Sequence, residues 1–192
     1  MFRFISRLND RPEIDTTVMN SAIFLTSAIQ QFRDYKELGD KTFDQLTEKD
    51  FYWHLNRFSN SLALIIAHMN GNMISRWTNF LTDDGEKEWR NRDVEFEEQS
   101  RSRADLLELW EEGWTVLFST LTSLKEEDLN STVYIRTRPL TVIEAIHRQL
   151  THYASHVGQI VYIGKMIRGE EWTSLSIKKG GSNAFNEQMR KV

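Results

Sequence analysis

Apolar residues recur at intervals of three and four positions over most of this chain, and polar residues fill the positions between them. That spacing is typical of helices that bury one face, because an α-helix brings every third and fourth residue to the same side. It predicts four long helices, at residues 14 to about 35, from caps at 59–61 to about 81, about 102 to 124, and 141 to 167. Together they indicate an all-α fold, a four-helix bundle formed as one domain by residues 1–192.

The helix at residues 141 to 167 is the longest and has the clearest ends. Thr141 and Glu144 have the spacing of a capping box, in which each side chain binds a backbone N–H group at the helix start. Gly169 follows the last apolar position, where glycine is favoured. We interpret residues 38–58 as a connection with a short helical turn after Thr47, and residues 131–138 as a short extended piece or hairpin.

Composition narrows the classes of function. The 192 residues carry a formal net charge of −4 with both signs intermixed, so nothing favours binding to nucleic acid. There is no cysteine, so a metal must be bound by His, Asp or Glu, and thiol chemistry needs an external thiol. No apolar run approaches the length of about 18 residues that crosses a membrane, and the first residues lack a signal peptide's apolar region. We expect a cytoplasmic protein.

Three histidines are candidates for one metal site. His152 and His156 are four residues apart on the last helix, so their side chains project from neighbouring turns toward the edge of its apolar face. His68 flanks the apolar face of the second helix in the same way. His147, on the last helix, points away from His152 and His156. If the two helices are neighbours, three imidazoles can bind one ion and leave positions for water or substrate. The alternative is that they are polar groove residues without a metal.

The connection at residues 82–99 is unusually rich in charge, with eleven charged residues among eighteen. One interpretation is a solvated loop or a short helix held in place by Trp89 and Phe96. The other is that Arg90 and Arg92 bind an anionic group beside the site, because guanidinium groups pair well with carboxylates. The pattern alone leaves both open.

The arrangement of these motifs resembles the DinB-like superfamily of four-helix bundles, which includes the YfiT-like metal-dependent hydrolases and thiol transferases. The resemblance depends on His68 and on the segment His152-Tyr-Ala-Ser-His156-Val-Gly158-Gln159, which is similar to an H-x-x-x-H-x-G-Q motif. Nearly the whole chain further resembles one subfamily, DUF1572. The matching segments are Asn60-Ser61, Gly71-Asn72, Ser75-Arg76-Trp77, Asp84-Gly85-Glu86-Lys87 and Arg90-Asn91-Arg92-Asp93. Ser155 departs from the superfamily, many of whose members have histidine there.

The resemblance implies that His68, His152 and His156 bind a divalent metal, nickel or zinc. It also implies that the metal activates an external low-molecular-weight thiol, or water, for attack on a small-molecule substrate. Gln159 would then orient a ligand or only pack. The function hypotheses are therefore a thiol S-transferase, a metal-dependent hydrolase, or a non-catalytic bundle that binds a ligand or partner. A homodimer is compatible with each, and we expect His54 and His147 to be structural or exposed.

Overall fold

The computed structural model describes residues 16–191, with side chains from residue 22 onward. Within this range the predicted all-α bundle is confirmed. Its four long helices are α1 (Thr16–Phe43), α2 (Leu62–Trp77), α3 (Arg103–Ser123) and α4 (Val142–Arg168). Helix α1 packs on α4, α4 contacts α2, α2 packs on α3, and α3 contacts α1, which closes a ring around one core. The predicted approach of α2 to α4 is therefore present.

Shorter elements connect and follow these helices. A 3-10 helix at Glu48–Tyr52 confirms the helical turn expected after Thr47. The expected hairpin consists of β1 (Thr132–Ile135) and β2 (Arg138–Thr141), antiparallel strands that pair Thr132 with Thr141. A short helix α5 (Ser182–Met189) lies near the C-terminus. No helix within residues 16–191 has both the length and the apolar composition needed to cross a membrane.

The predicted helix caps form as side-chain hydrogen bonds. At the start of α4, the backbone N–H of Glu144 donates to the Thr141 hydroxyl at 3.2 Å, and the Thr141 N–H donates to the Glu144 carboxylate at 2.7 Å. Ser102 and Asp105 make the equivalent capping box for α3, and Ser61 caps α2. Each cap satisfies backbone N–H groups that have no partner within the helix, so the capping residues determine where these helices begin.

The predicted end of the first helix, near residue 35, is wrong. Its predicted start at Ile14 lies outside the described residues, but α1 continues without a break to Phe43. Gly39 and Asp40 resemble a turn in sequence, yet here they pack on α3: a Cβ atom at Gly39 would overlap the Trp110 ring, and Trp110 donates its indole N–H to Asp40 at 2.7 Å. A contact with a residue seventy positions away overrides the local signal.

The second helix is also shorter than predicted, ending at Trp77 and not near residue 81. Asn79 has a φ of 51°, a left-handed conformation that asparagine tolerates and that cannot continue an α-helix. Its carbonyl oxygen then accepts hydrogen bonds from the N–H groups of Thr82 and Asp83. Phe80 is nevertheless buried, so the apolar spacing that extended the prediction reflects packing of the turn itself.

Four aromatic side chains, one from each long helix, occupy the centre of the core. They are Phe32, Trp77, Trp114 and Tyr153, all at most 1% exposed. The Phe32 ring centre lies 6.3 Å from that of Trp77 and 6.0 Å from that of Tyr153, in the tilted and edge-on arrangements that aromatic rings favour. This cluster links all four helices.

The hydroxyl group of Tyr153 also connects α4 to α2 by two buried hydrogen bonds. It accepts from the Trp77 indole N–H at 3.1 Å and donates to the Asn72 side-chain oxygen at 3.0 Å. Because both partners are themselves buried, neither can exchange this contact for water without the helices separating. These bonds set the register of α4 against α2.

We expect Tyr153→Phe to lower the free energy of unfolding by about 1–3 kcal/mol, because it leaves the Trp77 N–H and the Asn72 oxygen without their partner. Urea denaturation followed by circular dichroism measures this change. Tyr162→Phe is the matched control, since it removes the same group from the same helix at a side chain that is 65% exposed. Equal losses in the two variants would contradict the role given to the Tyr153 hydroxyl.

Candidate metal centre

The three predicted histidines converge at the contact between α2 and α4. The Nε2 atom of His152 lies 3.1 Å from Nε2 of His156 and 3.5 Å from Nε2 of His68. His68 is 4% exposed, and the other two are half-buried. Tyr153, which fixes the register of the helices, is the immediate neighbour of His152. The cluster therefore sits where the core holds the two helices most firmly.

This spacing fits one small divalent cation. Nitrogen atoms bound to zinc at about 2.0–2.1 Å with tetrahedral angles lie about 3.4 Å apart, and one ligand atom from each of the three histidines lies within 4.8 Å of the other two. The ring nitrogens that face each other here can direct their lone pairs at one ion. The donor set, three nitrogens without sulfur or carboxylate, suits zinc or nickel better than a hard cation such as magnesium.

Glu95 orients the His68 ring. One of its carboxylate oxygens lies 2.9 Å from His68 Nδ1, which therefore donates its proton and leaves the Nε2 lone pair directed at His152. A carboxylate behind a metal-binding histidine is a common arrangement, because it fixes the tautomer and increases the basicity of the ring. On the far side of Glu95, the Arg90 guanidinium donates two hydrogen bonds, at 2.7 Å and 2.8 Å.

The surroundings keep Glu95 charged and the other two histidines neutral. Burial opposes the charge of Glu95, but the hydrogen bonds from His68 and Arg90 outweigh it and hold the pKa of this carboxyl below its usual range. Burial, and then the repulsion that a protonated His152 would experience from protonated His156 and His68, lowers the pKa of His152 to about 3. Burial likewise lowers the pKa of His156. Neutral imidazoles are the form that binds a metal.

The three histidine rings differ in the hydrogen-bond partners that hold them from behind. Among the described residues, the Nδ1 atoms of His152 and His156 are buried and have no hydrogen-bond partner, so only His68 is held by a carboxylate. A cavity of about 370 Å³ opens beside His68 and His152. The cluster thus has one closed side, formed by Glu95, and one open side through which a small molecule could reach it.

Comparison with known proteins identifies the family of this chain. A family model described as "Protein of unknown function (DUF1572)" matches residues 19–181. The chain belongs to the DUF1572 family. A search of curated proteins found no match.

In this DUF1572 chain, the charged connection agrees largely with the first interpretation, because most of its residues are exposed and its one short helical turn is held in place by an aromatic side chain. It folds back along α2 and contains one 3-10 turn, Val94–Phe96, which places the Phe96 ring 4.9 Å from that of His68. Trp89 is 61% exposed, so of the two aromatics expected to hold the segment only Phe96 packs on the site.

The two arginines predicted to bind an anion both line the cavity, but they differ in exposure and in ion pairing. Arg90 has a side chain that is only 2% exposed, and its guanidinium is already paired with Glu95. Arg92 is exposed, with its guanidinium 5.0 Å from the centre of the Phe96 ring. That these residues bind an anion remains a prediction, and the geometry gives Arg90 the further task of supporting Glu95.

The first half of the connection anchors the hairpin. Asp84 accepts hydrogen bonds from the backbone N–H groups of Arg136 and Thr137, the two turn residues, which have φ values of 54° and 62°. Arg76 of α2 donates to the Gly85 carbonyl oxygen and pairs with Glu86 at 2.9 Å. These contacts bring Arg136 to the rim of the cavity, a placement that no local pattern indicates.

The remaining predicted histidines lie away from the cluster, as expected. His147 is exposed, and its ring contacts Phe24 of α1 with centres 5.1 Å apart. His54 is exposed and lies 3.3 Å from the Tyr52 carbonyl oxygen. Gln159 is exposed one turn beyond His156, and its orienting role remains a prediction.

Glu95 is the residue that sequence reasoning missed. It lies in a segment without periodicity, among several other acids, so nothing local distinguishes it. The one indirect signal is Gly71, because a Cβ atom at that position would overlap the Glu95 carboxylate. A glycine inside a helix that flanks a candidate histidine can indicate close approach of another segment.

We expect Glu95→Gln to weaken metal binding by about tenfold to a hundredfold, because the ring partner loses its charge while keeping an acceptor oxygen. Gly71→Ala should act in the same direction without any change of charge, by displacing the carboxylate from α2. Competition titration of zinc against a chromophoric chelator measures the affinity.

Glu86→Gln is the matched control for this prediction. It removes one carboxylate from the same arginine cluster, where Glu86 contacts Arg76 and Arg136 but no histidine. Its metal affinity should stay close to that of the wild type. A similar loss in Glu86→Gln and Glu95→Gln would indicate a general charge effect and contradict the specific role of Glu95.

Proposed function

We propose that this DUF1572 protein is a divalent-metal-dependent enzyme of the DinB-like type, which binds nickel or zinc through His68, His152 and His156. The observation that carries the proposal is the convergence of three Nε2 atoms, with that of His152 lying 3.1 Å from His156 and 3.5 Å from His68. Two of these histidines, His68 and His152, line an open cavity. The DinB-like assignment is supported by the order of the helices and by the histidine motif of residues 152–159.

The proposed reaction is transfer of a low-molecular-weight thiol to an electrophilic small molecule: the thiol releases its proton to solvent, and its sulfur forms a bond to a carbon from which a leaving group such as chloride departs. A divalent ion held by three imidazoles lowers the pKa of a thiol or water molecule that binds to it, so that the nucleophile forms at neutral pH. The chain contains no cysteine, so the sulfur must come from outside. The cavity beside His68 and His152 provides the entry for both reactants.

The chain's own residues prepare this site before any reactant arrives. Glu95 holds His68 in one tautomer, Arg90 holds Glu95, and burial keeps His152 neutral. Such preorganisation reduces the rearrangement needed when ligands bind. Hydrolysis by activated water is the second candidate, and the polar lining of the cavity, which admits water, favours it. A cytoplasmic location and a homodimer remain part of the proposal.

Metal content tests the proposal first. Untagged protein should contain about one nickel or zinc ion per chain by mass spectrometry, and His68→Ala should lose it, because a two-histidine site on a single helix binds far more weakly. His147→Ala is the control, since it removes an exposed histidine of the same helix that carries the other two ligands. No metal in the wild type after dialysis against nickel and zinc would favour a non-catalytic binding bundle.

The reaction is then tested with the metal-loaded protein and monochlorobimane as electrophile. We expect consumption of bacillithiol, mycothiol or glutathione, and loss of this activity in His152→Ala together with the metal. Metal binding without consumption of any thiol would favour the hydrolase. Full activity in His152→Ala would contradict both enzymatic proposals.

A further inference from the structure

The cavity beside the histidine cluster has an unusual charge. Five arginines line it, Arg76, Arg90, Arg92, Arg136 and Arg148, and no acidic side chain is among its lining residues. They come from four separate parts of the chain: α2, the charged connection, the hairpin turn and α4. Because like charges repel, such a cluster of arginines needs stabilisation by carboxylates in the cavity wall or by an anion bound in the cavity.

Two carboxylates lie behind the arginines and do not neutralise them. Glu86 pairs with Arg76 at 2.9 Å and with Arg136 at 3.0 Å, and Glu95 pairs with Arg90. The five lining guanidinium groups and the two carboxylates that form ion pairs with them have a summed formal charge of +3. This local charge is opposite in sign to the formal net charge of the chain, which is −4.

Two of the five arginines have no ion-pair partner within residues 16–191. They are Arg92, which lies over the Phe96 ring, and Arg148, which is exposed on α4 one turn before His152. Neither forms a salt bridge with any carboxylate of the described chain. Both guanidinium groups therefore have donors available at the cavity wall.

Gln149 provides an independent indication of a ligand. It lines the cavity on α4, is 3% exposed, and its side-chain Nε2 is buried with no hydrogen-bond partner among the described residues. A buried amide N–H without an acceptor is costly, so such groups in proteins normally have a partner. An acceptor oxygen of a molecule in the cavity would supply it.

We propose that this cavity is an anion subsite, which binds a phosphate or carboxylate group of the small-molecule substrate. Arg92 and Arg148 supply the free charge, Gln149 donates from its buried amide, and Arg76 adds positive potential from its paired position. The volume of about 370 Å³ lies within the range of small-molecule sites and exceeds the need of a single inorganic ion. The rest of the ligand thus extends toward His68 and His152.

This assignment makes the proposed function more specific. It rests on that function only in one respect, the claim that the bound ligand goes on to react. It names the substrate class, a small molecule with an acidic group held several ångströms from its reacting centre. It also transfers the main anion-binding role from Arg90, which is engaged with Glu95, to Arg148. Binding of the acidic group needs no metal.

Isothermal titration calorimetry of the full chain, freed of metal with a chelator, tests the subsite with inorganic pyrophosphate and with succinate as probes. Metal-free protein is used because both probes also bind metal ions. We expect saturable binding of at least one of them. Pyrophosphate alone would identify a phosphate site and succinate alone a carboxylate site. Absence of binding for both probes at millimolar concentration and low salt would overturn the proposal.

Single variants locate the binding. We expect Arg92→Gln, Arg148→Gln and Gln149→Met each to weaken binding of the probe, the arginine variants by about tenfold, the usual size for a lost charged hydrogen bond. Arg33→Gln is the matched control, because Arg33 is also an exposed arginine over an aromatic ring, Phe118, but lies outside the cavity. Equal weakening in Arg33→Gln would show a nonspecific charge effect and overturn the assignment.

Failure of the proposed metal site can be distinguished from failure of the proposed anion subsite. His156→Ala, which removes a proposed metal ligand that does not line the cavity, should bind the anionic probe as the metal-free wild type does, so an absent metal leaves the subsite measurable. Arg148→Gln should retain its metal, which shows that the cluster is intact when anion binding weakens. Loss of metal in Arg148→Gln together with unchanged binding of the probe would contradict the assignment of Arg148.

Discussion

The two buried hydrogen bonds of the Tyr153 hydroxyl constrain the whole molecule. They can form only in one register of α4 against α2, because a shift by one residue moves a helix about 1.5 Å along its axis and leaves buried polar groups unpaired. Tyr153 also contacts Phe32 and Trp114, so the same side chain links all four long helices. His152 is its neighbour in sequence, and its position relative to His68 therefore follows from the packing of the core.

The charged connection depends on that register for its own structure. Glu95 reaches His68 only because α2 presents Gly71 at the point of approach. In turn Arg90 is buried with Glu95, and Asp84 holds the hairpin turn. Part of this segment, which has eleven charges in eighteen residues, is held in place because Asp84, Glu86 and Glu95 accept hydrogen bonds from arginines and backbone N–H groups. Other charged residues of the segment, such as Glu88 and Asp93, are exposed to solvent.

The sequence predicts those features that depend on short-range spacing. The caps of α2 and α4, the hairpin, and the side of each helix on which His68, His152 and His156 lie all follow from short-range patterns. The convergence of the three histidines also requires α2 and α4 to be neighbours, which the sequence left open. The features it misses depend on distant partners: α1 continues through Gly39 because Trp110 packs there, and Glu95 matters because of His68, 27 residues earlier. The role expected for Arg90 was incomplete for the same reason, since its pairing with Glu95 has no local signature.

The net charge of the chain is another property from which the local features of the site cannot be inferred. A formal charge of −4 combines +3 for the five cavity arginines and their two ion-pair partners with −7 over the remaining chain. Such a surface disfavours a long polyanion, which must contact many residues at once. It does not exclude a small anion, because charges more than about 8 Å away are largely screened at physiological ionic strength. The cavity lining contains five arginines and no acidic side chain, so the net charge of the whole chain does not describe the side chains that a small anion would meet there.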